Sequence, residues 1–301
     1  MSQSFNKILF ENTSIRYGSV CVLAVILIAS AGFWGDDRYM AHDAVQQLKA
    51  RTLQQMVFVE GGDFIMGDVG YTDESGIKRH FAGDADVFPI HQVSLTSYSM
   101  NSLETTLGDY DAYANYMGKD TVQVGYRDHF SQKHPAWGMN WYDAREYCQW
   151  LGQEIGYVMD LLTEAQWEYA ARSRGLAVAY ATNNGKFERG INIRDSKQND
   201  FEMPVGSWPP NPLGMYDMTG NVNEWTVDNA HSYTEEAKTD PIFDEYIAKR
   251  PKVTRGFGII GASGGIKLYK RIIFSPENTG AGNGIRCVVN QPEPLPKQLK
   301  D

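Results

Sequence analysis

The sequence is short of cysteine, with three in 301 residues, and its six histidines (His42, His80, His91, His129, His134, His231) show no HxxxH or HExxH spacing. Sites that hold zinc or iron on one helix face need that spacing, so a self-contained centre of this kind is excluded. Basic charge is also scarce: 28 Lys and Arg stand against 37 Asp and Glu, a net charge of -9. Nucleic-acid binders carry a basic stripe that displaces counterions, so no nucleic-acid partner is expected. No internal repeat appears, which removes solenoid and propeller folds. Long apolar runs are missing except for one, Tyr17 to Trp34 (YGSVCVLAVILIASAGFW), which is uncharged throughout.

That run has the length needed to cross a bilayer. Lys7 and Arg16 precede it and Asp36 with Asp37 follow, so the positive-inside rule puts residues 1–16 in the cytoplasm and the main domain outside. The expectation is an inner-membrane, single-pass protein facing the periplasm. The alternative is a cleaved signal peptide, because Ala29-Ser30-Ala31 resembles a small-residue cleavage site. Cys21 sits inside the run. Cys148 and Cys287 remain for the exported part, where an oxidising compartment lets two cysteines pair; the alternative is two inert buried thiols.

Twenty-nine glycines and a 12% aromatic content predict a loop-rich fold with long structured connections. Residues 35–55 read as a polar, amphipathic linker. Met56 to Met66 reads as a strand pair broken at Gly61-Gly62, Gly67 to Phe88 as a long acidic loop of solvated surface, and Val93 to Asn101 as the next strand. Leu107, Tyr110, Tyr113, Ala114 and Met117 recur at helical spacing; a second helix follows Asn140, and a third opens at Thr163 with the capping-box partner Gln166. Beyond Leu176 the pattern turns to short strands and turns, ending in a polar tail over 291–301. The fold class is α+β, with one domain over 56–290.

Four segments carry a resemblance: Met56 to Gly67 (MVFVEGGDFIMG), Asn140 to Leu151 (NWYDAREYCQWL), Leu162 to Arg172 (LTEAQWEYAAR) and Pro204 to Trp225 (PVGSWPPNPLGMYDMTGNVNEW). With Gly284 to Val288 (GIRCV), they resemble the formylglycine-generating-enzyme family, also called the sulfatase-modifying-factor family. The resemblance implies a loop-rich variant of the C-type lectin fold, and it implies that Cys148 and Cys287 are bonded. A bridge closing so long a loop is worth about 4 kcal/mol or more in the chain-entropy model.

Catalytic members of the family bind copper with two cysteines five residues apart, in the loop after an Arg-Gly-Gly-Ser-like strand. Those positions fall here on Gly261 and Ile266, which supply no thiolate, so formylglycine generation and copper are not expected. The same loop holds Gly261-Ala262-Ser263-Gly264-Gly265, a formal G-x-S-x-G match. Strand-like sequence follows it, and not the helix that a nucleophile elbow needs, so Ser263 reads as a turn residue. The resemblance also implies calcium, one or two structural ions. One set falls on Asp217, Gly220, Val222 and Glu224, and a second on Asn192, Ile193, Asp200 and Phe201, carboxylates and carbonyls of the kind a hard cation takes.

The expected function is therefore a non-catalytic, membrane-anchored binding or assembly module, an accessory subunit for a protein partner in the cell envelope. The competing readings are an enzyme of unrecognised chemistry in a groove near Ser263, Tyr269, Lys270 and Arg271, a toxin-immunity protein, or a carbohydrate binder with an aromatic platform at Trp137, Trp208 or Trp225.

Overall fold

A computed structural model describes residues 39–122, 127–194, 201–245, 249–256, 258, 268–280 and 282–298. The apolar run 17–34 lies outside them. Among the described residues no helix is long and apolar enough to cross a membrane.

The chain enters through helix α1, described over 39–55, and does not run as a linker there. Val45, Leu48, Thr52 and Leu53 recur at helical spacing and are at most 2% exposed. Val45, Leu48 and Leu53 join the main hydrophobic cluster, so the folded body begins upstream of Met56. The narrow stripe, flanked by glutamines and charges, makes this helix read as linker in sequence although it packs on the core.

Strands β1 (Met56–Val59) and β2 (Gly62–Met66) part company at Gly61-Gly62. A Cβ at Gly61 would lie 2.2 Å from the Leu95 carbonyl oxygen, so only glycine lets the chain pass there. The next predicted strand is likewise two, β5 (His91–Leu95) and β6 (Tyr98–Asn101). β1 pairs β6 and β2 pairs β5, which puts the two halves of each predicted unit in different sheets.

Between them, residues 67–88 carry a short hairpin of β3 (Tyr71–Thr72) and β4 (Lys78–Arg79), and they are not a solvated acidic loop throughout. Asp68 is 1% exposed and accepts hydrogen bonds from the backbone N–H groups of Gly70, Phe81, Ala82 and Gly83. Burial works against its ionisation, but those four donors outweigh it and hold its pKa below the usual carboxylate value.

Three capped helices follow as the sequence predicts. Thr106 and Asp109 form a reciprocal box at α2 (Leu107–Met117), Asn140 caps α3 (Trp141–Ile155), and Thr163 with Gln166 forms a second box at α4 (Glu164–Ala171). Helices α2 and α3 stop at Gly118 and Gly156, both in the left-handed conformation.

The remaining strands are β7 (Met159–Leu161), β8 (Asn223–Asn229), β9 (Lys238–Thr239), β10 (Lys252–Arg255), β11 (Ile272–Phe274), β12 (Asn283–Gly284) and β13 (Cys287–Val289). They complete sheets ordered β1-β6-β13-β7, β11-β10-β8-β12 and β2-β5-β9. α4 is buried along its whole length, so its polar side chains must find partners inside the protein. Cys148 of α3 and Cys287 of β13 are disulfide-bonded, with 5.5 Å between Cα atoms across 139 residues of sequence. The end of the chain packs back: Leu295 is 6% exposed in the main cluster, and Lys297 donates to the Gln54 carbonyl.

Candidate functional site

α4 and the strands around it create two buried ionic clusters, and each follows from the hydrogen-bonding demand of an interior polar residue. In the first, Glu164 and Glu168 sit one turn apart on α4. Arg255 of β10 bridges them, donating to Glu164 Oε1 at 2.8 Å and Glu168 Oε2 at 2.9 Å. Arg271 grips Glu164 in a fork at 2.6 and 3.0 Å, and Arg172 reaches Glu168 Oε1 at 2.9 Å. All five are at most 3% exposed. Burial alone would raise the Glu164 pKa, but Arg271 and Arg255 reverse that and hold it at about 2. Asp228 receives the Glu164 and Phe243 amides; burial, with the Glu164 charge close by, pushes it up to about 7.

The second cluster centres on Arg286, which is fully buried next to Cys287. It forks onto Glu224 at 2.6 to 3.0 Å and donates to the carbonyls of Asn101 and Tyr216. Trp167 Nε1 donates to the same carboxylate at 2.7 Å. Two further acids stand by. Glu104, 2% exposed, accepts from Asn221 Nδ2 and the Val222 amide, and Asp217 accepts from the Gly206 amide at 2.6 Å. One guanidinium thus serves three carboxylates. Burial, then the charges of Asp217 and Glu224, push the Glu104 pKa well up; burial raises Asp217 to about 6.

The turn between Asp217 and Val222 is held by backbone that few residues adopt: Asp217, Gly220 and Asn221 have φ of 58, 100 and 63°. This folds the expected cation ligands Asp217, Gly220, Val222 and Glu224 around the Arg286 cluster. Glu224 points its carboxylate at Arg286 and Trp167. Glu104 is the member that sequence reading missed, since a single acid before Thr105-Thr106 carries no spacing signal.

A small cleft of about 30 Å³, the share of one water molecule, lies beside this turn. Ile193, Phe201, Trp208, Asp217 and Gly220 line it, so parts of both expected cation sets share one border. The second set does not converge further. The Asn192 amide turns into its own loop, donating to Asn183 Oδ1, Asn184 Oδ1 and the Lys186 carbonyl, while the Ile193 carbonyl accepts from the Gly190 amide. Phe201 packs against His129 and Phe130, and Asp200 lies outside the described residues.

The chain matches the family model described as the sulfatase-modifying factor enzyme 1-like domain over residues 41–291. It belongs to that family. A protein named serine/threonine-protein kinase pkn1 from Chlamydia pneumoniae is 31% identical over 281 residues, covering 84% of this chain and 40% of that one. The chain thus spans about two fifths of that relative's length. The inactive C-alpha-formylglycine-generating enzyme 2 of Bos taurus is 28% identical over 51% of the chain and 49% of the relative. Among solved structures, PvdO from Pseudomonas aeruginosa superposes with a TM-score of 0.64 at 26% identity, covering 78% of this chain and 94% of PvdO. The match to the family model begins at residue 41, in keeping with α1 as part of the domain and not a linker.

Against the family's sulfatase-modifying chemistry, the two described cysteines are consumed by their bridge. Gly261, Ser263 and Ile266 lie outside the described residues. Of the expected groove residues, Tyr269 and Arg271 do not line an open surface. Tyr269 is fully buried, stacked on Phe81 at 5.5 Å with the Arg172 guanidinium over its ring, and Arg271 is closed onto Glu164. Lys270 pairs with Asp84 at 2.8 Å. Of the tryptophans considered as a sugar platform, Trp225 is core at 1% exposure.

The Arg286 cluster fits a hard cation by the chemistry of its donors: surplus carboxylate oxygen, turn carbonyls, and no sulfur or imidazole. Among the described residues no three His, Cys, Asp or Glu side chains converge on one metal position. Of the expected set, Asp217 and the turn carbonyls would hold the cation first, because both Glu224 oxygens already accept from Arg286 or Trp167.

Proposed function

We propose that this chain is a non-catalytic, membrane-tethered binding or assembly module, an accessory subunit that presents its loops to a protein partner in the cell envelope. The observation that carries the reading is the fate of the thiols. The family's copper positions are Gly261 and Ile266 in this sequence, Cys148 is spent on Cys287, and Cys21 lies in the apolar run. The chain then has no pair of thiolates with which to hold Cu(I). Two further features support it: the ionisable groups around Arg255 are closed into mutual ion pairs, and the cleft by the calcium turn is far below the roughly 300 Å³ of an ordinary small-molecule site. In this reading calcium is structural, held at Asp217, Gly220, Val222 and Glu224, and the run 17–34 anchors the domain in the inner membrane with its body in the periplasm.

The experiment is affinity purification of the full-length protein from detergent-solubilised membranes, with metal analysis of the eluate. A stoichiometric envelope protein accompanied by calcium is the expected result. A chain that elutes alone with bound copper or iron would overturn the reading and return it to redox catalysis.

A further inference from the structure

We propose that the end of the helical layer formed by the start of α1 and the end of α2 is a bilayer-contact face, seated among the lipid headgroups. The inference rests on the anchored reading above and adds to it which surface meets the membrane.

Four large apolar side chains are left in the open there. Tyr39 and Met40, in the first described turn of α1, are 70% and 65% exposed; Tyr116 and Met117, in the last turn of α2, are 42% and 44% exposed. Two contacts place them together. The His42 and Tyr116 rings are 6.5 Å apart, and the Arg51–Asp109 ion pair joins the far end of α1 to the first turn of α2. The helices therefore run antiparallel, and the start of one lies beside the end of the other. α3 packs on α2 through Tyr113 on Tyr147 at 5.4 Å and Tyr116 on Trp150 at 6.1 Å, and it backs the patch with packed aromatics. Single exposed apolar residues are ordinary, but a cluster on one end marks a surface that something covers.

The length of chain before the patch identifies the occupant. The apolar run ends at Trp34, five residues before Tyr39. Five residues span at most about 18 Å fully extended, so a run that crosses the bilayer holds Tyr39 at or within a short distance of the headgroup layer. No other exposed apolar group of the described domain is tied to the membrane by so short a tether. Tyrosine suits that depth, with its ring in the apolar edge and its hydroxyl in water, and methionine adapts to an irregular lipid surface.

The test uses the full-length chain carrying Cys21→Ser and one added cysteine, at Tyr39→Cys, Tyr116→Cys or, as a control on the β3–β4 hairpin, Ile77→Cys. Each is spin-labelled and reconstituted in vesicles of phosphatidylethanolamine and phosphatidylglycerol. Collision with oxygen relative to a water-soluble nickel chelate should be severalfold higher at 39 and 116 than at 77. Equal ratios at all three positions, in a chain that stays with the vesicles through an alkaline wash, would overturn the contact face and leave the anchor standing. Protection of 39 and 116 from both reagents would assign the patch to a protein and also overturn it. Loss of the chain from the vesicles would remove the anchor, and this face with it.

Discussion

The two ionic clusters beside α4 share a chemistry and differ in balance. Around Arg255, three guanidiniums face Glu164 and Glu168, with the raised carboxyl of Asp228 at the edge; every charge has an opposite partner within 3 Å. Around Arg286, one guanidinium faces Glu224, while burial and the Glu224 charge raise both Glu104 and Asp217, and Asp217 raises Glu104 further. A closed network of the first kind leaves nothing to offer a ligand. An open one, with carboxylate oxygen in excess, resolves its charge by taking up protons or a cation. Any remaining binding chemistry among the described residues of the two clusters would therefore fall to the open one.

The largest effect should come from breaking the closed cluster. Arg255→Met leaves Glu164 and Glu168 without the guanidinium they share, and removing one partner of a buried pair costs about 3–5 kcal/mol. Denaturant unfolding measures this; a loss under about 1 kcal/mol would mean the network is not what holds α4 in place.

Acid should attack the same cluster. The Glu164 pKa is about 2 in the folded protein against an ordinary 4.5, so its contribution is present above 4.5 and lost as pH falls from 4.5 towards 2. The ceiling on that loss is about 3 kcal/mol. Asp228 acts with the opposite sign. Its pKa of about 7 lies above the usual 3.8, so it favours the folded state while protonated and withdraws that support as pH rises from 3.8 to 7. Thermal melts across pH should show an acid limb that Glu164→Gln flattens, and a decline towards neutral pH that Asp228→Asn removes.

The open cluster should answer to calcium where the closed one does not. Calcium at 100 times its dissociation constant stabilises a folded state by about 2.7 kcal/mol, so chelation should lower the melting temperature of the wild-type chain. Asp217→Asn should abolish most of that shift, while Asp228→Asn, beside the closed cluster, should keep it. A melting temperature indifferent to chelation would show that protons, and not a cation, settle the charge.

Much of this was legible in the sequence, for reasons visible residue by residue. Two helix starts were readable because their caps are local, Asn140 and Thr163 each bonding an amide three residues on, and α2 was readable from the spacing of Leu107, Tyr110, Tyr113 and Ala114; its Thr106 cap was not read. The pairing of Cys148 with Cys287 came from the family motif. What sequence could not show depends on distant contacts. α1 looked like a linker because its stripe of Val45, Leu48 and Leu53 acquires meaning only against α2 and α3. Asp68 looked like solvated surface because its four amide partners lie up to 15 residues away. Arg271 and Tyr269 suggested an open groove, since nothing local reveals that Glu164 and Phe81 close over them. Glu104 escaped notice altogether: its partners Asn221 and Val222 are more than a hundred residues downstream.

Glu104 provides the most delicate test of the contrast, through the smallest expected change. Among the described residues its two oxygens accept only from Asn221 and the Val222 amide, with no cation on either, and burial together with Asp217 and Glu224 favours its neutral form. Glu104→Gln keeps one of the two acceptors and removes a surplus negative charge. In chelated protein it should change stability by no more than about 1 kcal/mol, because it replaces a neutralised acid with a neutral amide. Glu168→Gln, one cluster away, swaps a carboxylate held by Arg172, Arg255 and the Gly67 amide, and should cost about 3 kcal/mol or more. Equal costs at the two positions would mean that Glu104 is ionised and fully satisfied as Glu168 is, and that the Arg286 cluster is as closed as its neighbour.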